Sequence, residues 1–254
     1  MDIKDRIVVV TGAAGGIGRA LALCFRKAGA KRVVCADIDG EGATATAKDV
    51  GGIGRQVNVA VESEIKSLIE DIEAQEGPID LFCSNAGISV RGGPEVPNDD
   101  WQRIWDINVM AHIYAARHLA PRMIERGEGY FLNTASAAGL LSQVGSAPYA
   151  VTKHAAVGLA EWLALTYGDA GIKVSVLCPQ AVRTAMTKGK EDGVASVNGM
   201  MEPEPVAEAC LKAIEEETFL VLPHPEVLDY MRRKTENYDR WIGGMRKLNR
   251  KYNP

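Results

Sequence analysis

The 254-residue chain has no apolar run approaching the ~20 residues that a membrane-spanning helix needs. Its first stretch, Met1-Asp-Ile-Lys-Asp-Arg6, is charged and holds no apolar segment. No secretory leader is therefore expected, and the cytoplasm is the expected compartment. Basic residues are not in excess: 29 Lys+Arg stand against 33 Asp+Glu, a net charge of -4. A nucleic-acid partner would need a strongly basic face and is not expected. The five cysteines, Cys24, Cys35, Cys83, Cys178 and Cys210, form no Cys-x-x-Cys pair. Free thiols in apolar runs are expected, rather than a zinc site or a disulfide framework. The sequence also has no internal repeat, no low-complexity stretch and no interdomain linker.

What is there is the balance of one globular domain, 46% hydrophobic and 24% charged. Short β-branched runs alternate with helical patterns along the chain. Strands are predicted at 7–11, 32–37, 56–59, 80–84, 130–135, 173–178 and 219–222. Helices are predicted at 19–29, 41–50, 61–76, 98–125 and 205–217, with another around residues 149–163. This alternation predicts an α/β fold, one doubly wound parallel sheet over 1–254.

The first strand, Ile-Val-Val-Val-Thr11, runs straight into Gly12-Ala-Ala-Gly-Gly-Ile-Gly18 and then a helix. In that context the glycines let the backbone approach a pyrophosphate, and free N–H groups at the helix start can hold it. Asp37 ends the second strand, where a carboxylate accepts the adenosine ribose hydroxyls and repels a 2′-phosphate. Ile38 follows it and no arginine stands there, which favours NAD over NADP. Asn58 ends the third predicted strand, where an adenine edge is read. Asn85-Ala-Gly87 follows the fourth as a second close-approach turn. Asn108, amid an apolar helix, needs partners. A backbone carbonyl or a water in a proton path would serve equally.

Tyr149 and Lys153 stand four apart on one helix, with Ser136 at the end of the fifth strand. A phenol ionises near pH ~10, and neutral-pH base catalysis asks for roughly three units less, about 4 kcal/mol. An ammonium ~4 Å away at an effective dielectric of ~20 supplies about that much. Tyr149 is therefore a candidate general base, and Ser136 a hydrogen-bond partner for the reacting oxygen. Residues 185–202, with Lys188, Lys190, three glycines and three methionines, form a candidate substrate lid. Candidate pocket residues are Ile88, Val90, Leu140, Leu141, Gln143, Met186, Met200 and Met201, which favour an apolar alcohol. The tail from Pro225 is polar and helical, with a solvated face or an oligomer contact as its expected role.

Taken together, Thr11-Gly-x-x-x-Gly16-x-Gly18, Asp37, Asn85-Ala-Gly87, Asn108, Ser136 and Tyr149-x-x-x-Lys153 resemble the short-chain dehydrogenase/reductases over about residues 5–222. The resemblance implies a single Rossmann-type domain with a seven-stranded parallel sheet and NAD(P)-dependent interconversion of an alcohol and a carbonyl. It implies Tyr149 as acid/base, Ser136 orienting the reacting oxygen, and Lys153 lowering the tyrosine pKa and holding the nicotinamide ribose. It implies Asn108 anchoring a relay water. For the cofactor it implies Gly12, Gly16, Ile17, Gly18, Asp37 and Ile38, then Asn58 and Val59 at adenine. Asn85, Ala86, Gly87, Pro179, Val182 and Thr184 complete the set.

The chain departs from the family pattern at Asn58, usually Asp, and at Gln180, usually Gly. The tail lacks the glycine-rich ending of the family's tetramers, so a homodimer stands beside a homotetramer. The functional expectation is an NAD-dependent oxidoreductase acting on a secondary alcohol or its ketone. The alternatives are a nonredox relative (an epimerase or dehydratase) and a non-catalytic NAD(H)-binding protein.

Overall fold

The β-branched run Ile7–Thr11 forms the central strand β1, buried along its whole length. The computed structural model describes residues 1–189 and 193–252. Side chains of β1 alternate between two cores. Ile7 and Val9 enter one hydrophobic cluster, Val8 and Val10 the other. A strand covered on both faces has no polar side, which is why its sequence reads as continuous hydrophobicity.

Six further strands, β2 Arg32–Asp37, β3 Ile53–Gln56, β4 Leu81–Ser84, β5 Gly129–Thr134, β6 Ile172–Leu177 and β7 Leu220–Val221, complete the sheet. The order is β3-β2-β1-β4-β5-β6-β7, with every pairing parallel. Helices α1 Gly16–Lys27, α2 Gly40–Val50 and α8 Pro203–Glu215 contribute to one core with Val33, Leu81, Leu132 and Leu177. Helices α3 Glu62–Gln75, α5 Ala111–Arg126 and α7 Ala147–Tyr167 contribute to the other with Val34, Phe82, Phe131 and Val176. The expected doubly wound seven-stranded sheet is the observed one. Strand order reverses between β1 and β4, and parallel sheets open a ligand crevice at such a point, beyond the strands' carboxyl ends.

Two predicted elements differ. The third strand lies at 53–56, not 56–59. Gly52 and Gly54 hide it in the sequence. A Cβ on Gly54 would sit 2.8 Å from the Thr44 Cα of α2, so the helix packs on bare backbone there. Val57 N–H still donates to Asp37 O at 2.8 Å, after which the chain turns away from the sheet edge. The helix expected over 98–125 is three pieces: α4 Asn98–Trp105, a π turn at Asp106–Met110, and α5. Asn108 sits in the π turn, and its side chain is drawn out of the helix by partners elsewhere. A short α6, Ala138–Leu141, also forms where a loop was expected. Helices α9 Glu226–Glu236 and α10 Tyr238–Tyr252 make up the tail.

Four sulfurs, of Cys35, Cys83, Cys178 and Cys210, are buried in these cores, and Cys24 is half-buried. Burial pushes the thiols up, to about 12 for Cys35 and Cys178. No helix among the described residues is long and apolar enough to cross a membrane.

The β1–α1 turn is the tightest contact at the switch point. A Cβ on Gly18 would stand 2.0 Å from the Gly12 carbonyl oxygen and 2.7 Å from the Asn85 amide. Gly18→Ala should therefore cost about 1–3 kcal/mol of overpacking. Urea denaturation should find its midpoint lowered with an unchanged slope.

Candidate active site

The carboxyl edge of the sheet opens on a cavity of about 1140 Å³, lined from Gly12 and Asp37 through Ser136 and Tyr149 to the tail. Its floor at one end is the β1–α1 turn. Gly12 and Gly16 take positive φ, +67° and +51°, which brings the N-terminus of α1 to the cavity. No side chain caps that N-terminus, and its first turn carries no acid. Four N–H groups of a helix start have no partner within the helix. The surface at Gly15 is open, since a Cβ there would touch nothing within 4 Å, while one on Gly16 would meet Thr184 at 2.9 Å. This cradle suits a phosphate group. Asp37 is fixed beside it, accepting from Ala14 N and Asp39 N at 3.0 Å each. Ile38, Asn58 and Val59 continue the lining. The Asn58 oxygen is already engaged by Ala60 N at 3.1 Å.

Several motif residues build the frame rather than face the cavity. Gly18 does not line it; its missing Cβ is what lets the turn close. The Asn85 side chain donates to Thr11 O at 3.0 Å and accepts from Thr134 Oγ1 at 3.2 Å. Thr11 Oγ1 in turn accepts from Asn85 N and Ala86 N at 2.9 and 3.1 Å, so the ends of β1, β4 and β5 are tied together. The backbone of Asn85, Ala86 and Gly87 still lines the cavity.

Asn108 is fully buried. Its oxygen accepts from Ile88 N at 2.9 Å, and its amide donates to Ile88 O at 3.0 Å and Thr152 Oγ1 at 3.2 Å. The side chain thus satisfies a backbone carbonyl, one of the two roles open from the sequence. It does not face the cavity. It pins the loop after β4 to α7, one residue before Lys153.

Ser136, Tyr149 and Lys153 come together. Ser136 follows β5, its hydroxyl held by Ala138 N at 3.1 Å. It lies beside the Tyr149 phenol, whose anion it favours. Lys153 Nζ donates to Thr134 O at 2.9 Å and stands 5.7 Å from the centre of the Tyr149 ring. Burial raises the Tyr149 pKa, outweighing the Ser136 hydrogen bond. Burial also pulls Lys153 down to about 8. Desolvation, which spacing along a helix does not carry, acts on both groups here. In this arrangement the phenol is protonated at neutral pH.

His112 is buried near Lys153, with Asn133 close enough to favour its charged ring; Ser84 Oγ is buried without a hydrogen-bond partner among the described residues. Burial, with the Lys153 charge, drops His112 to about 3, so it is neutral.

Pro179, Val182 and Thr184 line the cavity beyond Lys153. Gln180 joins them, and its Oε1 is buried with no hydrogen-bond partner among the described residues. An unpaired acceptor suits an amide N–H donor. Together with the open phosphate cradle, it makes the site fit a nicotinamide dinucleotide.

Of the predicted pocket residues, Ile88, Leu141, Gln143 and Met186 line the cavity; Val90, Leu140, Met200 and Met201 do not. Met201 instead packs on the core, its N–H bonded to Ala181 O at 3.0 Å. Leu140 packs between cores. Lys188 lies off the cavity lining, and Lys190 lies outside the described residues. The sequence reading missed Val144, Val197 and the tail residues Trp241, Met245, Leu248 and Tyr252. The tail's 4-3-4 apolar spacing was the available signal.

A family model described as short chain dehydrogenase matches residues 6–195. The 1-deoxy-11-beta-hydroxypentalenate dehydrogenase of Streptomyces exfoliatus is 39% identical over 199 residues, which cover 74% of this chain and 72% of that one. Borneol dehydrogenase, mitochondrial, of Lavandula x intermedia is 32% identical, covering 89% of this chain and 90% of its own. Cyclohexanol dehydrogenase of an Acinetobacter strain is 28% identical over 89% and 94%. A short chain dehydrogenase/reductase from Burkholderia phymatum, solved in complex with NAD, superposes with a TM-score of 0.87 at 28% identity, covering 94% of this chain and 96% of its own.

The buried amine has a thermodynamic signature. Its folded pKa, about 8, lies below the ordinary 10.5, so the unfolded chain holds more protons between those values. Folded stability from this group is therefore lowest below pH 8 and rises as pH climbs toward 10.5, by about 3 kcal/mol. Chemical denaturation across pH 7.5–10.5 should show this rise as the difference between wild type and Lys153→Met, because the raised buried thiols pull the total stability of both proteins the other way. Separately, Gly15→Ala should fold with near-normal stability and bind dinucleotide more weakly, read by NADH fluorescence titration.

Proposed function

Because the chain belongs to the short-chain dehydrogenase family, as an oxidoreductase, we propose that it interconverts an apolar secondary alcohol and its ketone with NAD. The observation that carries this reading is the meeting of Ser136, Tyr149 and Lys153 at one end of a cavity whose other end is an uncapped helix start beside Asp37. The bound nicotinamide supplies the hydride acceptor or donor. The remaining work falls to this chain's own groups. The α1 N–H groups take the pyrophosphate, Asp37 the adenosine ribose, and Asn58 and Val59 the adenine. Pro179, Gln180, Val182 and Thr184 take the nicotinamide end. Asp37 carries the preference for NAD, because no cation stands there to offset a 2′-phosphate.

At the reacting carbon, Ser136 Oγ orients the substrate oxygen and Tyr149 Oη gives or takes its proton. Lys153, charged below about pH 8, favours the tyrosinate as it forms. A phenol protonated at rest is ready to donate, which suits ketone reduction near neutrality. Alcohol oxidation needs the same group deprotonated. Asn108 serves by bracing α7 and the loop after β4. The dehydrogenases of borneol and cyclohexanol among the relatives, together with Ile88, Leu141 and Met186, support an alicyclic or similarly apolar substrate. The loop after β6, lined into the cavity by Ala185, Met186 and Val197, is the proposed lid.

An exposed stripe on α7, with Val151, Trp162 and Leu165, supports self-assembly through that helix. Leu165 is 86% exposed, and such a residue gains about 1.5–3 kcal/mol by burial.

Tyr149→Phe should bind NADH with unchanged affinity and lose turnover by about 100-fold or more. Retained turnover would remove Tyr149 from the role of acid/base. Wild-type alcohol oxidation should rise from pH 7 to 10 while ketone reduction holds nearly level, because a phenol raised above its ordinary 10 stays largely protonated across that range while its scarce anion grows with pH. Parallel profiles would contradict this. Asp37→Ala should narrow the ratio of kcat/KM for NAD over NADP by at least tenfold.

A further inference from the structure

Helix α10 has no fully buried residue, yet it is not polar all round. Trp241, Met245, Leu248 and Tyr252 are its half-buried positions among the described residues, spaced 4-3-4 along one face. The same four side chains line the cavity. The opposite face carries exposed Arg246, Lys247, Arg250 and Lys251. The apolar stripe thus points at the space beside the catalytic residues and is only partly covered by protein.

Its N-terminal end is packed on the body of the fold. Trp241 packs on the cluster of Ala137, Leu141 and Val227, next to Ser136 in the chain. At its far end Tyr252 lines one cleft with Ser142, Gly145 and Ser146 of the loop that leads into α7 and Tyr149. Helix α9 anchors the tail to the substrate side of the fold. Lys234 Nζ donates to Leu140 O at 2.6 Å, and Tyr230 Oη donates to Asn198 Oδ1 at 3.1 Å, in the loop after β6. Asn237 then turns the chain and caps α10 by accepting from Arg240 N at 2.9 Å.

We propose that α10 is the outer wall of the substrate pocket, and that its apolar stripe selects alcohols with a bulky hydrocarbon body over small ones. Burying an apolar stripe on a ligand gives discrimination that grows with the ligand's contact area, and each methylene in such a pocket is worth roughly 10–200-fold. The proposal rests on the alcohol dehydrogenase reading for its substrate class, and the wall itself can be read apart from turnover.

The test measures kcat/KM for 2-propanol, cyclohexanol and borneol with NAD in the full-length protein. In Trp241→Ala and Leu248→Ala, the ratio of borneol to 2-propanol should fall at least tenfold, chiefly through KM. In Ile242→Ala, on the outer face and 50% exposed, the ratio should hold. An unchanged ratio in both wall variants overturns the proposal. An unchanged ratio with a lowered mass in sedimentation overturns it too, and assigns the stripe to a second copy of the chain. If the wild type oxidises none of the alcohols, the catalytic reading fails, and the wall is read by binding. Camphor added with NADH present should then change the emission that wild type has and Trp241→Phe lacks. No change there overturns the wall as well.

Discussion

A buried amine resting on a main-chain carbonyl is the constraint around which the site is built. Lys153 is nearly inaccessible, and its Nζ is held by Thr134 O at 2.9 Å. Taking an ammonium out of water is costly unless partners replace the lost hydration. Holding it there requires the β5 carboxyl end, α7 and the loop after β4 to stay in register. The three-strand tie through Thr11, Asn85 and Thr134 and the Asn108 brace to Ile88 and Thr152 meet that need. Much of what a motif search would label ligand-binding is thus the scaffold for one charge.

That distinction also explains what could be read from the sequence. The sheet was legible because both faces of β1 and β4 are covered, so their residues are uninterruptedly apolar. The glycine turn and Asp37 were legible because strand, turn and helix follow one another directly. Ser136 and Tyr149-x-x-x-Lys153 were legible from helical spacing and from their place at a strand end. The roles of Gly18, Asn85 and Asn108 were not, since spacing cannot tell a side chain facing a ligand from one bonded to its neighbours.

Other features were hidden for local reasons. β3 lies at the sheet edge, where glycine backs onto Thr44 and no apolar run is needed. The π turn at 106–110 follows from where Asn108 finds partners, which depends on a loop twenty residues away. The burial of Tyr149, which raises its pKa, is a property of the fold that spacing does not carry. The tail stripe was visible as a spacing, but its cover was unknown until α9 was seen tied to Leu140 and Asn198.

The sulfur positions have a practical corollary. Cys35, Cys83 and Cys178 sit in or at the end of sheet strands, and Cys210 is on the buried face of α8; each is shielded and held as the neutral thiol. Alkylating reagents attack the thiolate, so these four stay inert while the layers remain closed. Only Cys24 is partly accessible. Once that single site is blocked, uptake of further label would clock the rate at which the molecule breathes open across its middle, with no probe added to the chain.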